Sequence, residues 1–123
     1  MGLQISIRKS GEVTILDLRG SSTIDYGGSD LLYRHLQGLV GDGVRNLLLN
    51  LEELTQVDSS AISVIVETYV FLKRKGGYLK LLRPCGRVLT VLRLFQLLRV
   101  ISSFDDEAMA LASFQLQGYV AKP

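Results

Sequence analysis

A chain of 123 residues has room for one compact domain with a genuine core and for little beyond it. With 47% hydrophobic and 21% charged residues it has the composition of a globular rather than a disordered chain, and a net charge of +2 is too small by itself to mark a nucleic-acid binder. Its single cysteine, Cys85, excludes an intrachain disulfide and fits a reducing compartment.

No basic segment followed by an apolar run opens the chain, so no signal peptide is expected. The stretch from Val88 to Ile101 is interrupted by Arg93, Gln96 and Arg99 and is too short to span a bilayer. A cytoplasmic protein without a transmembrane segment is the expectation. Met1 to Ser6 fits the loose myristoylation pattern, which is short and common by chance, so Gly2 is read as an ordinary residue. Cations cluster at Lys73-Arg74-Lys75 and along Arg83, Arg87, Arg93 and Arg99. A solvated surface is the ordinary reading of such clusters, and a patch for acidic partners is the sharper one.

Leu3, Ile5 and Ile7 alternate with Gln4, Ser6 and Arg8, the period of a half-buried strand. A turn at Ser10-Gly11 and a second strand from Val13 to Leu18 complete a hairpin. Gly20 to Gly28 reads as a loop. Leu32, Leu36, Leu39 and Val40 then recur at helical spacing, with Ser29 as N-cap and Gly41-Asp42-Gly43 as the stop. Val44 to Leu51 holds the continuous apolar run Leu47-Leu48-Leu49 of a strand covered on both faces, and Glu52 to Asp58 reads as a loop.

Ser59 to Lys75 is contested, because Ile62, Val64, Ile65, Val66, Thr68 and Val70 are β-branched. Its length, the helical spacing of Ala61, Ile65, Thr68, Tyr69 and Leu72, and the basic end before Gly76-Gly77 decide for a helix. A strand from Tyr78 to Leu82 follows. Pro84 breaks the chain before a helix carrying Val88, Val91, Leu92 and Phe95, and Leu98 to Ser102 reads as a last short strand. Asp105-Asp106-Glu107 opens a final helix with Ala108, Leu111, Ala112 and Phe114 facing inward. The order β-β-α-β-α-β-α-β-α predicts a single α/β domain with helices packed on a mixed sheet.

Enzyme chemistry finds little support. His35, the only histidine, lies within an amphipathic helix, and Cys85 has no histidine near it in sequence. No His, Cys or carboxylate set has metal-ligand spacing, and the glycine pairs lack the Lys-Ser/Thr of a phosphate loop. No catalytic residue, cofactor or metal is expected.

One stretch stands apart: Leu49 to Leu51, the connection to Val57, then Asp58-Ser59-Ser60-Ala61 at a helix start. It resembles the signature of STAS domains, particularly bacterial anti-sigma factor antagonists. The opening hairpin, Gly20, the Ile24-Asp25 pair and Gly76-Gly77 fall in the same order along nearly the whole chain. The resemblance implies a STAS domain over residues 1–116, a C-terminal tail over 117–123, and a regulator of sporulation or stress transcription that is not an enzyme. Its partner would be an anti-sigma factor of the serine protein kinase type, bound to release a sigma factor. Nucleic acid would not be a partner, and a homodimer is compatible with the reading.

The resemblance makes Ser59 the phosphorylation site, with Asp25, Asp58, Ser60 and Ala61 as its flanking and partner-binding residues. Ala61 stands where the family has glycine, the loop after Gly20 is about two residues longer, and Glu67-Thr68-Tyr69 are bulkier than their counterparts. Two alternatives stay open. One is a STAS scaffold with an unused switch, in a stressosome-like or lipid-transport complex. The other is a small-molecule or nucleotide site at the Gly20 to Gly28 loop. Residue chemistry alone allows a plainer reading of Asp58-Ser59-Ser60, as a helix cap.

Overall fold

In the computed structural model, which describes residues 2–120, the chain forms one five-stranded sheet in the spatial order β1-β2-β3-β4-β5. The strands are β1 (Leu3–Ser10), β2 (Val13–Ser22), β3 (Asn46–Val57), β4 (Tyr78–Leu82) and β5 (Ser103–Phe104). The helices are α1 (Gly28–Gly41), α2 (Ser59–Arg74), α3 (Gly86–Leu94) and α4 (Glu107–Val120), with 3-10 turns at Ile24–Tyr26 and Leu97–Arg99. The hairpin β1-β2 is antiparallel and every other pairing is parallel, which gives the expected mixed sheet and element order.

Strand alternation sorts the core into two layers. Leu16 and Leu18 of β2, Leu47 and Leu49 of β3 and Leu79 and Leu81 of β4 face α1, α2 and α3. Val13, Ile15, Leu48 and Leu82 point the other way and are covered by Ala110 and Phe114 of α4. Lys80 shares this second layer at 3% exposure. Its ammonium lies 4.8 Å from the Phe114 ring centroid and donates to Ser113 Oγ at 2.9 Å, while burial pushes its pKa down.

Several boundaries differ from the sequence expectation, each for a local reason. β3 runs on through Glu52–Val57, the segment expected as a loop. Beyond Asn50 it has lost β4 as a neighbour and pairs only with β2, so Glu52, Glu53, Thr55 and Gln56 are exposed in a strand. β2 likewise extends to Ser22, into the expected loop. Leu98 to Ser102 is not a strand. Val100 N and Ile101 N both donate to Leu97 O, winding that segment into a turn, and the strand follows at Ser103–Phe104.

In α4 the inward positions are Ala110 and Phe114, one helical turn apart; Leu111 is half-buried, whereas Ala108 and Ala112 are exposed. The helix continues to Val120, past the expected start of the tail at 117, and residues 121–123 of that tail lie outside the described residues.

Ser29 is not the cap of α1. Gly27 holds that position, and Ser29 is buried in the first turn. Gly28 explains the shift: a Cβ there would lie 2.4 Å from the Ser21 carbonyl oxygen, so only glycine lets the helix start this close to β2. Gly28→Ala is expected to cost about 2 kcal/mol by overpacking. Gly38→Ala, with open space at a helix-interior position, is expected to gain about 0.5–1 kcal/mol. Urea unfolding of the two variants checks the contrast.

Candidate functional site

The ends of β2 and β3, the 3-10 turn after β2, and the starts of α1 and α2 meet at one end of the sheet. β3 delivers Asp58 in extended backbone (φ −125°, ψ −173°) directly before α2, the geometry of an N-cap. Its Oδ1 accepts from Ser60 N at 3.0 Å, from Ala61 N at 3.3 Å and from the Ser60 hydroxyl. Its Oδ2 accepts from Ile24 N at 2.9 Å, so the same carboxylate pins the turn after β2 to the start of α2.

Burial pushes the Asp58 carboxyl up. The bonds from the Ser60 hydroxyl and from the Ile24, Ala61 and Ser60 amides outweigh that, and hold its pKa below the usual carboxylate value. Asp58 is therefore ionised and fully engaged at neutral pH.

A second set of hydroxyls lies beneath. The Ser60 hydroxyl shares a 2.6 Å bond with Ser29 Oγ, and Ser29 Oγ lies 3.5 Å from Ser22 Oγ. Ser22 and Ser29 are buried, at 0% and 5% exposure. This line of serines ties β2, α1 and α2 together where their backbones converge. Ala61 is fully buried in the main core, and its methyl group is accommodated there.

Ser59 differs from its neighbours. It is the first residue of α2 and is exposed, while the polar contacts around it belong to Asp58 and Ser60. Asp25 is exposed on the adjoining 3-10 turn, and the turn reaches Asp58 through the Ile24 amide rather than through the Asp25 carboxylate. Of the five residues singled out in the sequence, the structure thus brings Asp58, Ser59, Ser60 and Ala61 together at the helix start, with Asp25 set to one side.

Sequence reasoning did not find Ser22, and it took Ser29 for a helix cap and Ile24 for a matching loop position rather than for parts of the site. A serine gives no sign of burial by itself, and a backbone amide leaves no mark in a sequence. Beside the cap lies a shallow groove of about 290 Å³, lined among others by Ile24, Tyr33, Ser60 and Val64. Ile24 is 73% exposed and Tyr33 40%, so the helix end is flanked by apolar surface.

Elsewhere, His35 Nδ1 lies 3.0 Å from the Leu31 carbonyl oxygen along α1, as a helix-flank histidine does. Cys85 is exposed, with its Sγ 3.6 Å from the Glu52 carbonyl oxygen. Among the described residues no group of three or more His, Cys, Asp or Glu could hold a metal ion, and no helix is long and apolar enough to cross a membrane.

The architecture is that of an α/β domain: a mixed sheet with three helices on one face, offering a capped helix start and an exposed hydroxyl. The STAS domain family model matches residues 4–110, and the chain belongs to that family. It is 26% identical over 117 residues to an anti-sigma F factor antagonist of Paenibacillus polymyxa, covering 94% of this chain and 98% of that protein.

Among solved structures, a candidate anti-sigma factor antagonist from Thermotoga maritima superposes with a TM-score of 0.83 at 22% identity, covering 90% of this chain and 94% of that one. The anti-sigma factor antagonist SpoIIAA in its unphosphorylated form gives 0.71 at 19% identity, over 95% and 99% of the two chains. The Bacillus SpoIIAA in its phosphorylated form gives 0.69 at 17%, over 89% and 98%. At these identities the structural likeness carries the fold.

Proposed function

We propose that this STAS domain is an anti-sigma factor antagonist: it binds an anti-sigma factor of the serine kinase type, and phosphate on Ser59 switches that binding off. The relative from Paenibacillus polymyxa is named an anti-sigma F factor antagonist, and SpoIIAA is described in both phosphorylated and unphosphorylated forms. One observation carries the assignment to this residue. Of the two hydroxyls in Asp58-Ser59-Ser60, Ser60 is committed to Asp58 and Ser29, which leaves Ser59 exposed for an incoming kinase. The domain acts as a substrate of catalysis, not as a catalyst.

Partner contact falls on the helix start and the apolar surface beside it, Ile24, Tyr33 and Val64, where burying an exposed aliphatic and an aromatic side chain supplies affinity. Asp58 holds this surface in shape through Ile24, and the charge on Ser59 decides whether a partner can cover it.

Ser59→Ala is expected to abolish phosphate incorporation by an ATP-loaded anti-sigma kinase. It should leave the melting temperature within a degree or two, because exposed substitutions change stability by only about 0.5 kcal/mol. Phosphopeptide mass spectrometry of wild type and variant reads the result. Phosphate on Ser60 or Ser63 would overturn the site. A wild-type chain that binds the kinase but accepts no phosphate would point to a scaffold with an unused switch. Stabilisation by a nucleotide without any protein partner would favour the ligand-binding alternative.

A further inference from the structure

We propose that the end of the domain opposite Ser59, built from the C-terminal turns of α2, the end of α3 and the turn after it, docks on an anionic lipid surface. The sequence shows a charge segregation that the sigma-factor reading leaves unexplained. From Thr68 to Phe104 the chain carries eight lysines and arginines and no acidic residue, although the whole chain holds twelve Asp and Glu. Every carboxylate lies outside that stretch of sequence; of its cations, Lys80 is buried under α4 and Arg83 pairs with Glu52.

The fold concentrates part of this segment at one place. α3 ends at Leu94, and Gln96 takes up left-handed backbone (φ 56°), turning the chain into the 3-10 turn at Leu97–Arg99. Leu97 goes inward, while Leu94, Phe95 and Val100 are left 75%, 51% and 60% exposed. The C-terminal part of α2 closes on the same spot: Tyr69 OH donates to the Val100 carbonyl oxygen at 3.3 Å, and Lys73 Nζ lies 3.5 Å from Tyr69 OH. Three projecting apolar side chains are thus interleaved with Arg93, Arg99 and Lys73. Among the described residues none of these three cations forms a salt bridge, whereas Arg8, Arg19, Arg34 and Arg83 do.

The combination selects the occupant. Duplex phosphates would satisfy the cations and leave Leu94, Phe95 and Val100 in water. An anionic membrane supplies both halves of the complement, a negative headgroup layer and an apolar layer about 5–10 Å beneath it. Tyr69 lies about 15 Å along α2 from Ser59, so docking at this end leaves the capped start of α2 facing solvent.

Co-sedimentation with vesicles of phosphatidylcholine alone, or of one part phosphatidylglycerol to two parts phosphatidylcholine, tests the proposal. The protein is expected to pellet only with the anionic vesicles and to be released by salt. Removing two charges with Arg93→Gln/Arg99→Gln is expected to lower the partition coefficient about 30-fold, at the usual contribution of a basic residue near such a surface. Leu94→Ser/Phe95→Ser should weaken it as well; circular dichroism and melting confirm that both exposed pairs leave the fold intact. Equal binding to neutral vesicles, no binding to either, or full binding by either double variant overturns the proposal. Binding to duplex DNA or to an acidic protein with no vesicle binding does so too.

Discussion

Ile65→Asp is expected to unfold the domain, or to lower its melting temperature by on the order of 15 °C. Ile65 is 1% exposed in the middle of α2 and packs in the main core with Leu72 and Ala61. Deleting a buried aliphatic side chain costs about 2–5 kcal/mol. An unpaired carboxylate in the same place adds a further penalty of several kcal/mol, or takes up a proton to avoid it. A domain of this size has only about 5–15 kcal/mol to lose.

Glu67→Ala, exposed on the same helix, is expected to change stability by less than about 0.5 kcal/mol. Thermal melts of both variants, with Val64→Asp and Val66→Asp added, read the period directly. Helical packing predicts damage at Val64 and Ile65 and much less at the half-buried Val66. Equal damage at Val64 and Val66 with Ile65 spared would mean a strand.

That helix shows what the sequence could and could not reveal. Local propensity was ambiguous because of the β-branched residues, yet the burial at Ala61, Ile65, Thr68 and Leu72 has the helical spacing seen in the sequence. Period and length outweighed β-branching because α2 gains its stability by burying one face against the sheet, and packing of that kind overrides a few tenths of a kcal/mol per residue. Thr68 makes the compromise visible: it is 5% exposed, and its hydroxyl donates back to the Val64 carbonyl oxygen at 2.8 Å.

The extension of β3 was not legible for the opposite reason. Only β2 flanks Glu52 to Gln56, so Leu54 alone is buried there among exposed polar residues and no continuous apolar run marks the strand. The two-residue β5 is too short to leave any period at all.

At the site, the capping role of Asp58 was readable because an Asp before a helix with hydroxyl neighbours has few other uses. Its second bond, to Ile24 N, was not, since it joins residues 34 apart through a backbone group. The buried serines were invisible for a similar reason. Ser22 and Ser29 lie in a stretch whose glycines and serines also describe an ordinary loop, and only the fold sets Ser29 between Ser22 and Ser60. The divergence within Asp58-Ser59-Ser60, with one hydroxyl committed and one exposed, therefore had to come from the structure.

Phosphorylated Ser59 is expected to leave the melting temperature nearly unchanged while weakening partner binding about 30-fold or more. Ser59 is exposed and outside the bonds that close the cap, so its modification breaks no contact that holds α2 in place. The Ser60 and Ala61 amides are already taken by Asp58, so the phosphate gains from the positive end of the helix without capturing those N–H groups. Repulsion from the ionised Asp58 offsets part of that gain, and within the isolated domain the two effects nearly cancel.

At an interface they do not cancel. A group of about −1.5 to −2 charges on the residue next to Ser60, which lines the groove, must be stripped of water before a partner can cover the helix start, and an unpaired charge buried at an interface costs about 2–5 kcal/mol. Ser59→Asp carries one charge and fewer oxygens, so it should give a smaller loss in the same direction. Isothermal titration of the anti-sigma partner with the true phosphoprotein, beside its melting curve, decides the matter. Equal affinity of the two forms would rule out the switch. A melting temperature that falls sharply on phosphorylation would mean that the phosphate acts by loosening the cap, and the surface mechanism would be wrong.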